Sequence, residues 1–468
     1  MLQFKKNNNP NSLSTLFFTE MWERFSYYGM RALLVLYLVN SLNYSESDAL
    51  HIYAVYTGLV YLTPIIGGYL ADQLLGSQKA IFIGGLTMMM GHFLMAFPSY
   101  LHLAIGMLII GNGYFKPNIS SLLGKLYKSN DIRRDSGFSI FYVGINLGAF
   151  LAPLIVGYIG ETINWHYGFA IAGLGMLLGL IQFYFGQNEI IKEDTTQKSK
   201  KLKSLDWIII LLISLINIPL ILLILKVNQF INNFFFEILT FFIIIIFYYL
   251  VVRKKQIISE KKDFKKIIYI GLLSIFVIFF WVGFEQAGGS LTLYANNAVD
   301  RNFLGFIIPA SLFQSINPLI IIIIGPMIAN FWLKIDQSKS NINTPQKMGL
   351  GLLLLGSGFL LIMLVNNSGG NSISLWWLVG VYFLHTLGEL CLSPIGLSMV
   401  SKVSPKKIAS LMMGFWFLSS AVANFMAGKL PEILQSINLD LFTFLTVTSL
   451  LAGIFLIFIA GYMEKLIK

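Results

Sequence analysis

Apolar runs long enough to cross a bilayer recur almost from one end of this chain to the other, separated by short polar loops. About twenty apolar residues suffice for one span. The pattern predicts about fourteen, over 14–41, 49–72, 79–97, 101–127, 137–160, 166–186, 205–225, 234–252, 267–297, 303–333, 347–366, 372–402, 406–434 and 438–464. The runs at 205–225 and 234–252 stand apart. They are rich in Ile, Leu and Phe, almost free of internal charge, and carry neither a glycine motif nor an ionisable residue at mid-depth. They are expected to form a structural hairpin inserted between two six-helix halves. The predicted organisation is a first six-helix bundle at 1–190, a linker with the inserted hairpin at 191–265, and a second six-helix bundle at 266–468. The fold class is an all-α polytopic membrane protein.

The first apolar run breaks its own pattern. Glu20, Glu23, Arg24, Tyr27, Tyr28 and Arg31 follow one another at i, i+3, i+4, i+7, i+8 and i+11. At ~100° per residue they share one arc of roughly 140° on a helix. A charge facing lipid costs about 2.5–3.5 kcal/mol even on the gentlest scale, so such residues face protein or a water-filled cavity. This stripe reads as one wall of a polar pathway.

Composition agrees with the span pattern. The chain is 56% hydrophobic and 12% charged, against about 25% charged in a soluble domain. The net charge of +11 would suit a nucleic-acid binder, but its distribution does not. Lys5 and Lys6, Lys79, Lys125 to Arg134, Lys192 to Lys203, Arg253 to Lys266, Lys334 to Lys347, Lys402 to Lys407, and Lys465 with Lys468 occupy alternate loops. The loops between them are nearly free of Lys and Arg, Lys226 and Arg301 excepted. This is the positive-inside pattern, with both termini in the cytoplasm and no nucleic-acid partner. No cleavable signal peptide is expected, because the first apolar run is too long and too charged. The single cysteine, Cys391, excludes an intramolecular disulfide and a cysteine metal cluster.

Further polar residues interrupt the later spans. Lys116 lies in Gly111-Asn112-Gly113-Tyr114-Phe115-Lys116-Pro117-Asn118. At that depth it needs an anionic partner, which Glu20 or Glu23 could supply; snorkelling to an interface is the alternative. Glu285 and Glu389 are lone carboxylates in apolar runs. Burial favours the neutral acid and a nearby cation the charged one. A carboxylate held between the two influences can change protonation when its partner moves, as a proton carrier must; a static ion pair is the bland alternative. Asn146 and Asn317 fit either a site or helix–helix hydrogen bonding. Tyr61, Trp281 and Trp416 fit either a site or packing. His385, four residues before Glu389, hints at a relay, with packing the simpler account. His51, His92, His102, His166 and His385 complete no metal spacing, and no phosphate-binding Gly-x-x-x-x-Gly-Lys-Ser/Thr loop is present. An ion gradient is then the natural energy source, and two six-helix halves are the pattern of transporters built from repeats.

Several stretches, in order, resemble one family. Glu20-x-x-Glu23-Arg24-Phe25-x-Tyr27-Tyr28-Gly29-Met30-Arg31 is similar to the first-helix signature of the proton-dependent oligopeptide transporters of the major facilitator superfamily. Gly68-Tyr69-Leu70-Ala71-Asp72-Gln73-Leu74-Leu75-Gly76 resembles the superfamily's loop between helices 2 and 3. Arg133-Arg134-Asp135 with Phe141-Tyr142-x-x-Ile145-Asn146-x-Gly148 resembles the second family signature. Phe284-Glu285-Gln286 and Gly388-Glu389-Leu390 match in the second half, and the extra hairpin is typical of bacterial members. Gly288-Gly289 depart from the small hydroxyl residues often found there.

The resemblance implies a proton-coupled symporter that imports di- and tripeptides by alternating access, in the bacterial inner membrane, not an enzyme, with no cofactor beyond protons as the coupling ion, and with a monomer expected. It implies that Glu20, Glu23, Arg24 and Lys116 form the proton-coupling cluster. Arg31 would pair with Glu285, and protonation of Glu285 would release it. Arg31 and Lys116 would favour the substrate carboxylate. Glu389, with Asn146 and Asn317, would receive the substrate amine. Tyr27, Tyr28, Tyr61, Trp281, Ser393 and Trp416 would line an adaptable pocket. The alternative within the fold is a carrier of another small zwitterion or anion, such as nitrate or a modified amino acid. The intact Glu20-x-x-Glu23-Arg24 favours peptides.

Overall fold

The computed structural model describes residues 10–127, 131, 133–193, 261–337, 342–367, 373–405 and 408–467. The expected hairpin at 205–225 and 234–252 lies outside them. The described residues divide into two units, the first within Met1–Ala49 and Leu59–Lys226 and the second within Leu50–Gly58 and Val227–Lys468.

The chain begins with α1 (Ser12–Asn40), α2 (Glu46–Leu70), α3 (Ser77–Leu94), α4 (Leu101–Lys125), α5 (Arg133–Ala152), α6 (Tyr158–Thr162) and α7 (Trp165–Glu193). It continues with α8 (Lys261–Phe284), α9 (Ser290–Asn297), α10 (Ile316–Gln337), α11 (Thr344–Asn367), α12 (Leu375–Val403), α13 (Ala409–Ser436) and α14 (Leu441–Glu464). Outside the 205–252 hairpin, the expected spans fall largely on helices, with 137–160 and 267–297 each interrupted by a turn and 303–333 corrected below. Eight segments among the described residues are long and apolar enough to cross a membrane by length and composition. α1 carries its charges instead, and it is buried nearly all round against α5 and α7, as a helix holding charge inside lipid must be. In the second unit α11 packs on α12 and α14, α8 on α13, and α10 on α12.

Two boundaries follow from cap chemistry. Ser45 Oγ accepts from Asp48 N at 3.1 Å and starts α2; Asp440 Oδ2 accepts from Thr443 N at 2.7 Å and starts α14. One expectation is corrected. The run expected to be helical over 303–333 opens instead as a hairpin of β2 (Asn302–Phe303) and β3 (Phe306–Ile307), beside β1 (Val299–Asp300), which pairs with β4 (Ile373–Ser374). Leu304 and Gly305 hold φ of 53° and 85°, the two-residue turn that a glycine makes accessible. Pro309 then precedes a 3₁₀ turn (Ala310–Ser315), and α10 starts only at Ile316.

Close helix contacts place the charged residues. A Cβ on Gly113 of α4 would come within 2.8 Å of Thr63 on α2, whose Oγ1 donates to Ile109 O at 3.0 Å. This contact brings Tyr61 of α2 beside Lys116 of α4. Gly148 of α5 presses on the backbone of α1 at Met21, and a Cβ there would lie 3.0 Å from Arg24 Cβ. Gly148→Ala is therefore expected to cost about 1–3 kcal/mol through overpacking. Gly271→Ala, at a position with open space around it, should gain helix propensity. Thermal unfolding of the purified protein checks the pair: a lowered midpoint for the first and an unchanged or raised one for the second.

Candidate functional site

The first cluster is built on α1. Arg24 is 2% exposed and Glu23 wholly buried. Arg24 Nη2 donates to Glu23 Oε1 at 2.6 Å, its Nε donates to Glu23 Oε2, and the same Nε lies 3.3 Å from Glu20 Oε1. Neighbours in sequence do not face each other on a helix, so the long arginine side chain curls back to meet Glu23 with its planar fork. Such bidentate, charge-assisted bonds are the strong ones. The guanidinium also stands 5.0 Å from the Tyr27 ring centroid and 6.0 Å from that of Tyr28, while Arg31 Cζ lies 5.8 Å from the Tyr28 centroid. The two tyrosine rings meet edge to face at 5.1 Å. Thus one tyrosine pair carries both arginines, as the spacing of the stripe anticipates.

α4 completes this cluster. Lys116 Nζ stands 5.6 Å from the Tyr61 ring centroid. Both carboxylates are already bound to Arg24, so the cluster is a shared network, not a set of separate pairs. One turn before Lys116, the fully buried Asn112 directs Nδ2 towards Glu23 Oε1 at 3.5 Å. The sequence reading gave Asn112 no role, although its i, i+4 spacing from Lys116 puts both on one face. Asn146, on α5, donates its amide to Tyr142 O of its own helix at 2.9 Å.

The second unit holds the other carboxylates. α8 gives way to a 3₁₀ turn (Glu285–Gly288) at Glu285, which is 3% exposed. The turn is pinned by Gln286, whose Nε2 donates to Ala427 O on α13 at 2.8 Å and to Val282 O at 3.1 Å. Trp281 lies half-buried one turn earlier, edge-on to Phe284 at 5.2 Å. Asn317, at the start of α10, donates Nδ2 to Glu389 Oε2 at 2.8 Å and to Thr386 Oγ1 at 3.1 Å, both on α12. The structure thus joins Asn317 and Glu389 as expected and adds Thr386, which the sequence reading missed. Ser393 follows Glu389 by one turn, its Oγ buried without a hydrogen-bond partner among the described residues. Trp416 of α13 is buried against α12 at Gly396. His385 packs on Phe359 with ring centroids 4.5 Å apart, in keeping with the packing account. Arg31 belongs to the first unit and Glu285 to the second.

Among the described residues no group of His, Cys, Asp and Glu could hold a metal ion. Both clusters instead offer groups that bind or exchange protons and charged ligand ends. Arg24→Met would leave Glu20 and Glu23 buried without their guanidinium, and breaking a buried pair in this way costs about 3–5 kcal/mol. Arg24→Lys is expected to recover only part of that, because an ammonium cannot reproduce the bidentate fork. Unfolding midpoints of the three proteins should rank native, Lys, Met.

Comparison with known proteins supplies the wider setting. The model of the POT family matches residues 78–447. The di-/tripeptide transporter of Lactococcus lactis subsp. cremoris is 36% identical over 483 residues, covering 98% of this chain and 96% of that protein. A solved structure of a mutant peptide transporter POT in complex with alafosfalin is 37% identical, covers 98% of this chain and 96% of its own, and has a TM-score of 0.86. A POT family transporter in complex with 5-aminolevulinic acid is 30% identical, covers 98% of both chains, and has a TM-score of 0.87. With its apolar spans, its buried charge clusters and a match over most of its length, this chain belongs to the POT family of membrane transporters.

Proposed function

We propose that the chain is a proton-coupled symporter that imports di- and tripeptides. The observation that carries this reading is how the charges inside the helical units are divided. The first unit holds the cations Arg24, Arg31 and Lys116 with Glu20 and Glu23, and the second holds Glu285 and Glu389. A zwitterionic peptide needs both a cationic and an anionic receptor. Arg31 and Lys116 take the carboxylate; Glu389, with Asn317 and Asn146, takes the ammonium; Tyr27, Tyr28, Tyr61, Trp281, Ser393 and Trp416 contact the side chains. Protons load the carboxylates of the Glu20-Glu23-Arg24 cluster and Glu285. Neutral Glu285 releases Arg31, so that the proton and the peptide govern one switch.

The halves at 1–190 and 266–468 alternate access to the site, with 191–265 as linker and inserted hairpin. The alternation of basic loops supports cytoplasmic termini, in the bacterial inner membrane. The protein works as a monomer that uses no cofactor and catalyses no reaction. A second reading, a carrier for another small zwitterion, draws on the related structure bound to 5-aminolevulinic acid, since that ligand also bears an amine and a carboxylate.

Reconstituted into liposomes, the protein should take up labelled dialanine when the outside is more acidic, and a protonophore should abolish the uptake. Uptake indifferent to the protonophore would refute coupling. Glu285→Gln is expected to lose gradient-driven uptake and keep counterflow; full driven uptake removes Glu285 from the mechanism. In a competition panel, di- and tripeptides should displace labelled dialanine and tetrapeptides should not, whereas 5-aminolevulinic acid outcompeting every peptide would favour the second reading.

A further inference from the structure

The side chains around Glu389 form a chain of hydrogen bonds whose direction is fixed by chemistry. Thr386 Oγ1 donates its only proton to Tyr382 O, one turn back on α12, at 2.6 Å. It can therefore only accept from Asn317, 3.1 Å away. Glu389 Oε2, a carboxylate oxygen, also accepts, at 2.8 Å. Both neighbours demand an N–H, so Asn317 must turn its NH₂ towards α12, and the opposite amide orientation would set its carbonyl against two acceptors. The two N–H bonds of Asn317 are then committed, and its carbonyl oxygen is the group left for a ligand.

We infer that Thr386 is a positioning residue for the substrate amine: by accepting from Asn317 it locks the amide so that the Asn317 carbonyl and the second oxygen of Glu389 together present two acceptors to an ammonium. This inference rests on the peptide reading given above. The lock matters most when a ligand ammonium engages Glu389. The carboxylate's pull on the Asn317 N–H weakens as its charge is shared, and Thr386, wholly buried, still holds the amide. Without it the amide can rotate and present N–H groups to a cation, which repel it.

Thr386→Val keeps the shape and removes both bonds, while Thr386→Ser keeps the hydroxyl. The lock is tested first without any substrate, by thermal unfolding of Thr386→Val, Asn317→Ala and the double variant. If the bond exists, the double variant is destabilised by clearly less than the two single effects added together. Strict additivity overturns the lock. The second test is competition against labelled dialanine in proteoliposomes, using unlabelled dialanine and its des-amino analogue, N-propionylalanine. Thr386→Val should raise the half-competing dialanine concentration about five- to tenfold, the scale of one lost hydrogen bond, with little change in maximal rate. The des-amino analogue should move less than about twofold, and Thr386→Ser should restore dialanine to near the native value. Equal losses for both analogues, or no rescue by serine, overturn the positioning role. If the native protein itself binds both analogues equally, the peptide reading fails and takes the amine role with it, while the stability cycle still decides the lock.

Discussion

A guanidinium buried in the middle of an apolar helix has to be neutralised where it sits, and the first unit is organised around that requirement. At an effective dielectric near 20, two unit charges about 4 Å apart attract by ~4 kcal/mol, but desolvation costs several kcal/mol for each ion. Arg24 meets the requirement with the fork on Glu23, the contact with Glu20 and the faces of Tyr27 and Tyr28. Two carboxylates share one arginine, and from α4 the amide of Asn112 reaches Glu23. The same region is tightly packed, with α5 pressed on α1 at Gly148 and α4 on α2 at Gly113.

A network of this kind suits proton coupling because its members share partners. Protonating one carboxylate changes how strongly Arg24 holds the other. The second unit is arranged differently. Glu389 accepts from the Asn317 amide, and among the described residues no cation is paired with it; the proposed ammonium would supply that missing charge. Glu285 sits where α8 loosens into a 3₁₀ turn, and Gln286 anchors that turn to α13.

Much of this was legible in the sequence because the membrane makes exceptions conspicuous. Span lengths are set by bilayer thickness, and charges in the stripe from Glu20 to Arg31 are too costly to be incidental. Spacing put those residues on one face, and the structure stacks both arginines on one tyrosine pair. Partners from distant segments were not legible. Nothing local links Asn317 to Thr386 and Glu389 some seventy residues later, and an amide in an apolar run does not by itself reveal that Asn146 bonds within its own helix while Asn317 crosses to α12. Thr386 precedes Glu389 by three residues, a spacing that shares a helix face, but threonines in membrane helices so often bond their own backbone that this signal is weak. The hairpin at 302–307 was hidden because Phe303, Leu304, Phe306 and Ile307 are as apolar as any span; the turn is marked by Gly305 and Pro309 alone.

The central claim is that a proton travels with the substrate. Its most direct measurement is the external pH of weakly buffered proteoliposomes, with no gradient imposed, at the moment dialanine is added outside. The account predicts alkalinisation of the medium that requires both the protein and the dipeptide and is lost in Glu285→Gln. Dialanine entering the liposomes while the external pH stays constant would contradict it.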